Sequence, residues 1–119
     1  MERLYNLFNL DRQVSVARRV RVASSSTQRR KGLLGVSQMD PESGLWINPC
    51  EAVHTFRMQM PLDLVFLDRD YRVKKIHRGI GPNRISICLS ASSVVELAAG
   101  ALAESGTEVN DRLAWRAGS

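Results

Sequence analysis

The chain has 119 residues and a net charge of +5, and its 44% apolar and 24% charged residues exclude a disordered or collagen-like protein. A chain of this length forms one core, so a single domain over 1–119 is expected, and its longest uncharged run, 11 residues over 85–95, is too short to cross a membrane. Two cysteines are too few for a disulfide scaffold and residues 1–12 carry four charges, which predicts a cytoplasmic protein without a secretory leader.

The first half of the chain contains one clear strand and one short helix. Apolar and polar residues alternate over 14–22, which is the pattern of a half-buried strand. Ser25 followed by Gln28 matches a capping box and predicts a helix over 26–34, with Gly35 as its C-terminal cap. A loop then leads to a short strand over 45–47.

The second half is dominated by strands. Residues 62–67 form the strongest strand pattern, and a turn at 68–70 makes the next strand its hairpin partner. Further strands are predicted over 72–77, 85–89, 94–97 and 112–115. A second helix is predicted over 98–105, while 50–59 shows no clear pattern. Short strands joined by turns, with two short helices, predict a mainly β fold, either a β-sandwich or an open barrel that is largely antiparallel.

The positive charge is concentrated in one segment that contains no acidic residue. Its members are Arg18, Arg19, Arg21, Arg29, Arg30 and Lys31. The rest of the chain is nearly neutral, so this cluster is the only basic surface that could contact an anionic partner. A solvated face is the commoner role of such a cluster, and no aromatic residue is interleaved to stack on bases. We therefore do not expect the protein to bind nucleic acid.

Cys50 and His54 are four residues apart and would share one face of a helix. A zinc site needs three or four protein ligands, and the other candidates, His77 and Cys88, belong to separate strands. We therefore expect no metal and no cofactor. Cys50 is expected to be a buried or half-buried thiol, and His54 to form a hydrogen bond with backbone or with a carboxylate such as Asp63.

Two carboxylates, Asp63 and Glu96, interrupt otherwise apolar strands, where a charge costs free energy unless it is exposed or hydrogen-bonded. If both point into one cleft near His54, they form a group capable of proton transfer or of binding a polar ligand. The simpler alternative is that Asp63 accepts backbone hydrogen bonds while Glu96 faces solvent. Trp46 and Met58 fit either the core or the rim of such a cleft.

Four motifs in order resemble the bacterial and archaeal family called domain of unknown function 192, in its branch with a Cys-x-x-x-His-Thr segment. The motifs are Arg30-Lys31-Gly32-Leu33-Leu34-Gly35, Cys50-x-x-x-His54-Thr55-Phe56-x-Met58, residues 61–68 and residues 95–100. The resemblance covers about residues 3 to 115 and implies a small, sandwich-like β domain. The family positions matched here are Gly32, His54, Thr55, Asp63, Glu96 and Gly100. No activity is implied by the resemblance.

These observations favour a non-enzymatic accessory or binding module whose partner is a protein or a small molecule. The residues expected to form its pocket are Trp46, His54, Thr55, Met58, Asp63 and Glu96. The alternative is an enzyme that uses His54, Asp63 and Glu96 for acid–base chemistry on a small polar substrate. The two hypotheses differ in whether these three side chains converge. The sequence does not indicate an oligomeric state.

Overall fold

The computed structural model describes residues 3–118, and this part of the chain contains nine strands and two short helices. The strands are β1 (Tyr5–Asn9), β2 (Val14–Ala23), β3 (Ser43–Ile47), β4 (Ala52–His54), β5 (Leu62–Leu67), β6 (Val73–Ile80), β7 (Ile85–Ile87), β8 (Ser93–Ala98) and β9 (Leu113–Ala117). The helices are α1 (Ser26–Lys31) and α2 (Ala101–Ser105). With 46% strand and 9% helix, the prediction of a mainly β fold with two short helices is confirmed.

Seven strands form one curled sheet in the order β6-β5-β8-β3-β2-β1-β9, and β4 pairs with β7 in a second, two-stranded sheet. All pairs are antiparallel except β2 and β3, which run parallel. An isolated bridge between Arg72 and Arg112 joins the chain just before β6 to the chain just before β9. The two ends of the sheet therefore meet at one point, and the sheet forms a half-barrel, which agrees with the predicted open barrel.

The parallel pair explains where α1 lies. Parallel neighbours need a crossover connection, and here the segment between β2 and β3 supplies it, with α1 at its start. After the helix, Leu33 is buried and Leu34, Val36 and Met39 are partly buried against one face of the sheet. This crossover therefore covers the face of the sheet on which Glu96 also lies.

The central strands are buried on both faces, because a strand directs successive side chains to opposite sides. On β8, Val95 and Leu97 belong to one apolar cluster, whereas Val94 belongs to the other. The first cluster also contains Trp46 and residues of β1, β2 and β9, and α2 packs into it through Leu102. The second cluster is covered by the crossover and by the two-stranded sheet.

Several local details differ from the sequence-based expectation. Helix α1 ends at Lys31 rather than near 34, because Gly32, and not Gly35, is its C-cap with a φ of +51°. The predicted capping box of Ser25 and Gln28 is present. Strands β1 and β4 were not predicted, since β4 has only three residues and β1 buries a polar side chain, Asn9.

The alternation predicted over 85–89 has its apolar side turned to solvent. Ile85 is 60% exposed and Leu89 is 78% exposed, and the strand ends at Ile87. The buried side chain of β7 is that of Ser86, whose Oγ lies 3.4 Å from Nδ1 of His77. Within residues 3–118, no helix has the length and apolar character needed to cross a membrane.

Candidate functional site

Glu96 is a buried carboxylate that accepts no hydrogen bond from residues 3–118. It lies on β8 opposite Leu45 of β3 and Leu64 of β5, so both flanking strands present apolar side chains to it. The residue is 3% exposed, and no described residue donates a hydrogen bond to its fully buried Oε1. Burial favours the neutral form and raises the pKa of Glu96 to about 7. The alternative in which Glu96 faces solvent is therefore wrong for this residue.

The C-terminal end of α1 packs directly on this carboxyl group. A Cβ atom at Gly32 would lie 3.3 Å from Oε1 of Glu96, and the φ of +51° is one that glycine adopts readily. The backbone amide of Gly32 is already used, since it donates to Gln28 at 3.0 Å. Gly32 thus approaches Glu96 closely without supplying the missing donor.

A cavity of about 260 Å³ opens beside Glu96, between the crossover and the β4 region. Its wall includes the apolar residues Leu33, Leu34, Ile47, Val53 and Met58. Its remaining lining residues are Arg29, Arg30, Lys31, Gly32, Cys50, Ala52, His54 and Glu96. The cavity is therefore apolar along its wall, acidic at one point and basic along the last turn of α1.

Cys50 lies in the same cavity, and its thiol donates to the carbonyl of Ala52 at 3.1 Å. Burial raises the pKa of the Cys50 thiol, and the charge of Glu96 acts in the same direction, while Arg29 partly offsets it. The side chain is a half-buried free thiol, as expected. A raised pKa keeps it protonated at neutral pH, which makes it a poor nucleophile.

His54 lines the cavity from β4, but its ring makes none of the expected hydrogen bonds in the described part of the chain. The imidazole is exposed and stacks on Phe56, with ring centroids 5.1 Å apart. The expectation that His54 forms a hydrogen bond with backbone or with a carboxylate such as Asp63 is therefore wrong for the described residues. Met58, in contrast, is buried and lines the same cavity as His54 and Glu96, with which the sequence analysis grouped it.

Asp63 lies on the opposite face of the sheet from Glu96. On β5 and β8, Asp63 pairs with Leu97 while Leu64 pairs with Glu96, so the two carboxylates are out of phase by one residue. Asp63 accepts hydrogen bonds from the amides of Gly79 at 2.8 Å and of Gly100 and Leu102 at 3.1 Å. Its carboxylate therefore ties β6 and the start of α2 to β5.

Trp46 and Thr55 also lie outside the cavity. Trp46 pairs with Val95 rather than with Glu96, and its ring stacks on Trp115 at 4.2 Å in the interior of the half-barrel. Thr55 is buried, and its hydroxyl donates to the carbonyl of Gly81 at 2.6 Å and accepts from the amide of Arg84 at 2.9 Å. Both residues hold structure together rather than line the cavity.

The basic cluster lies on two elements, β2 and α1, and Arg21 and Lys31 line one further cavity of about 200 Å³. Arg18, Arg19 and Arg21 lie on β2, where Arg19 forms an ion pair with Asp40 at 2.7 Å. The remaining members, Arg29, Arg30 and Lys31, form the last turn of α1 and line the cavity beside Glu96. The sequence singled out these residues as an anionic-partner surface, and the structure places half of them at the edge of a cavity.

A larger surface cleft of about 670 Å³ adjoins Cys50 on its other side and is formed by the loops at 68–70 and 90–92. Its acidic residues are Glu51, Asp68 and Asp70, and Asp68 already accepts hydrogen bonds from the amides of Asp70 and Arg72. In the described part of the chain, no residue lining this cleft has a buried side-chain atom without a hydrogen-bond partner. Over residues 3–118, no three His, Cys, Asp or Glu side chains are grouped closely enough to hold a metal ion.

Sequence reasoning did not connect Gly32 or Cys50 with Glu96. Of the six positions that match the family, four form two contacting pairs in the structure. Gly32 packs on Glu96, and the backbone amide of Gly100 donates a hydrogen bond to Asp63. The signal that could have suggested the first pair is a glycine directly after a helix. The partner strand and its register are not visible in the local pattern.

Comparison with known proteins supports the fold and assigns no activity. The family model of DUF192, described as "Uncharacterized ACR", matches residues 8–115. A crystal structure from Sinorhizobium meliloti 1021, described as that of a candidate transcription regulator, has a TM-score of 0.83 at 24% identity, covering 97% of this chain and 94% of that one. A protein of unknown function from Novosphingobium aromaticivorans DSM 12444 has a TM-score of 0.81 at 21% identity, with coverages of 94% and 84%. No curated protein matches the chain.

Proposed function

Since the chain belongs to the DUF192 family, which is described without an activity, we propose from its own geometry that the protein is a small-ligand-binding module. The ligand occupies the cavity of about 260 Å³ between the end of α1 and β4. It donates a hydrogen bond to Glu96. This cavity is slightly smaller than the range of about 300–1,000 Å³ typical of drug-sized ligands, so a compact metabolite fits it best.

The observation that carries this proposal is the buried Oε1 of Glu96, which has no hydrogen-bond partner in the described chain and belongs to a residue that lines the cavity. Leaving a buried acceptor unsatisfied costs about 1–3 kcal/mol, and more for a charged group. Leucine lies opposite Glu96 on both neighbouring strands, so an apolar residue at position 96 would fit its surroundings. A destabilising carboxylate in such a place is characteristic of a functional site, where stability is lost in favour of binding.

The proposal is tested by a fragment screen on ¹⁵N-labelled protein, using small amines, alcohols, amides and amino acids. Bound fragments are expected to shift the backbone amide signals of 31–34, 50–54 and 96. Glu96→Gln should weaken these fragments about tenfold, the value of one charge-assisted hydrogen bond. The matched control is Glu104→Gln, which alters an exposed carboxylate on α2. Shifts confined to the larger cleft, or no shifts at all, would contradict the proposal.

An acid–base enzyme is the second candidate, and one observation favours it. A carboxyl group with a pKa of about 7 is suited to proton transfer at neutral pH, and Glu96 shares its cavity with His54. Asp63 has no part in this version, because its oxygens are occupied by three backbone amides on the other face. Incubating each fragment that binds with the protein and following the fragment's own NMR signals tests it: slow conversion that is lost in Glu96→Gln would support catalysis.

We do not extend the proposal to transcription regulation. The likeness to the Sinorhizobium meliloti protein, at 24% identity, concerns the fold, and the basic residues of this chain are divided between β2 and the cavity edge. A cytoplasmic location remains part of the proposal, supported by two cysteines that are both free thiols.

A further inference from the structure

The cavity beside Glu96 has a second charged edge, formed by the last turn of α1. Arg30 and Lys31 are exposed, line the cavity and form no ion pair with any residue in 3–118. Arg29 is held differently, because its guanidinium donates to the carbonyl of Ser24. Two cationic side chains are therefore available to a ligand at this edge.

Within residues 3–118, no ion pair joins Glu96 to the basic residues of the cavity. A cation within about 4–6 Å would favour the ionised form of Glu96 and lower its pKa. Burial is the one cause that shifts this pKa, and it shifts it upward. Arg30 and Lys31 are exposed whereas the carboxyl group of Glu96 is buried, and all three residues line one cavity.

The same cavity also has an apolar part of its lining, to which the buried residues Leu33, Ile47 and Val53 belong. A simple carboxylic acid would bring a negative charge towards Glu96. A simple amine would match Glu96 but would leave the basic edge unpaired and be repelled by it. A molecule with an ammonium group at one end, a short apolar middle and a carboxylate at the other end satisfies both edges and the wall.

We infer that the ligand is a small aminocarboxylate, which binds with its ammonium group on Glu96 and its carboxylate at Arg30 and Lys31. This inference rests on the proposed binding function and names its ligand class. An ammonium group has three N–H donors, and the carboxyl oxygen Oε1 of Glu96 has no donor in the described chain. A hydrogen bond between them would be charge-assisted. The carboxylate stays near solvent, where pairing with exposed cations contributes less.

The test uses 4-aminobutyrate, 5-aminopentanoate and 6-aminohexanoate as probes, with butylamine and butyrate as probes that carry one charged end each. Affinities are measured from the backbone amide shifts of ¹⁵N-labelled protein during titration. At least one aminocarboxylate is expected to bind about tenfold more tightly than butylamine and butyrate, which is the ratio that about 1.4 kcal/mol supplies. The shifts should involve 30–34 and 96 together.

Substitutions at each edge then assign the two ends of the probe. Glu96→Gln should weaken the best aminocarboxylate about tenfold and leave butyrate unchanged. The double variant Arg30→Gln with Lys31→Gln should weaken the same aminocarboxylate about threefold and leave butylamine no weaker. The control with the same change in net charge is Arg18→Gln with Lys74→Gln, since both residues are exposed and lie outside the cavity lining. Preserved NMR spectra verify that each variant is folded.

Failure of this inference differs from failure of the proposed function. If butylamine or a neutral fragment binds at Glu96 as tightly as every aminocarboxylate, the ligand class is wrong while the binding module stands. The same conclusion follows if the double variant behaves like its control. If neither these probes nor the broader fragment set shifts the amide signals around Glu96, both the ligand class and the binding function are wrong.

Discussion

Asp63 and Glu96 are both buried carboxylates in otherwise apolar strands, but they differ in hydrogen bonding. Asp63 accepts three hydrogen bonds from backbone amides, so both of its carboxyl oxygens have partners within the protein. Glu96 has apolar neighbours on both flanking strands and no donor among residues 3–118. The first residue therefore contributes to stability, whereas the second lowers it and remains available to a ligand.

Glu96 makes the free energy of unfolding depend on pH with a defined sign. Its pKa is about 7 in the folded chain, above the value of 4.5 expected when it is unfolded. Between these values the folded state retains a proton that the unfolded state has lost, so stability falls as pH rises from about 4.5 to 7. The contribution amounts to about 3 kcal/mol over this window. Glu96→Gln should remove it, as measured by urea unfolding at several pH values.

The control for this measurement is Glu104→Gln, which removes an exposed carboxylate and should keep the slope of the wild-type protein. Other groups titrate in the same window, so the quantity compared is the difference between wild type and variant. A difference that does not change between pH 4.5 and 7 would show that Glu96 is ionised in the folded protein.

Asp63→Asn should strongly destabilise the protein. The substitution replaces one carboxylate oxygen by an amide nitrogen, so at least one of the amides of Gly79, Gly100 and Leu102 loses its acceptor in a buried position. The expected loss is about 2–4 kcal/mol of unfolding free energy, measured by chemical denaturation. Asp70→Asn, which changes an exposed residue in the 68–70 turn, should stay within about 0.5 kcal/mol of wild type.

At the scale of single elements, α1 is unusual because it has no buried residue. Its position over the cavity depends on the capping box at its start and on Gly32 at its end. A helix of six residues is not stable by its own propensity. The element that carries the basic edge of the cavity is therefore held by a few local hydrogen bonds.

Ser25→Ala should loosen α1 without unfolding the sheet. The hydroxyl of Ser25 accepts from the amide of Gln28 at 3.1 Å, and losing such a cap costs about 1 kcal/mol. Faster hydrogen exchange is expected at the amides of Arg29 and Gly32, with the amides of β5 unchanged. Ser24→Ala is the matched control, because the Ser24 hydroxyl makes no hydrogen bond within the described chain. Equal exchange in both variants would contradict this role of the cap.

At the scale of the whole molecule, the half-barrel is closed by contacts between distant parts of the chain. The bridge from Arg72 to Arg112 is reinforced by hydrogen bonds between Val73 and Asn110 and between Leu113 and Tyr71. Strands from both halves of the chain supply the inner apolar cluster. Neither half of the sequence can bury its apolar residues without the other.

Thermal unfolding should therefore be a single cooperative transition, as expected for one domain over 1–119. Far-UV circular dichroism reports the sheet, and Trp46 and Trp115, which stack at 4.2 Å, report the interior of the half-barrel by fluorescence. The two signals should change at the same temperature. Two separate midpoints would show that the chain contains more than one unfolding unit.

The charge of the whole molecule leads to a prediction about DNA. Net charge alone would favour weak association with phosphate, but the basic residues are divided and Arg19 is already paired with Asp40. We therefore expect no strongly salt-dependent binding of random duplex DNA in fluorescence anisotropy measurements at about 50–200 mM salt. Over this range, the affinity of proteins that make many phosphate contacts falls steeply. A steep decrease in affinity over this range would instead identify a nucleic-acid-binding surface.

Local patterns were sufficient to predict most strands, the hairpin of β5 and β6, the capping box of α1 and the mainly β class. These features depend on side-chain periodicity and turn residues, which act over a few neighbouring positions. Such patterns failed where burial depends on distant partners. Ile85 and Leu89 alternate like core residues but face solvent, because no element of the described residues 3–118 covers them.

In the candidate site too, some features follow from the local sequence and others depend on tertiary contacts. The sequence by itself identified Asp63 and Glu96 as two carboxylates that interrupt apolar strands, because a charge in such a pattern is visible in one dimension. The tertiary structure alone decided that they lie on opposite faces, because a shift of one residue in the pairing of β5 with β8 would reverse their relation. It also brought the end of α1 to Glu96 through the parallel crossover. Strand register and crossover depend on contacts between residues far apart in sequence, and no local pattern contains them.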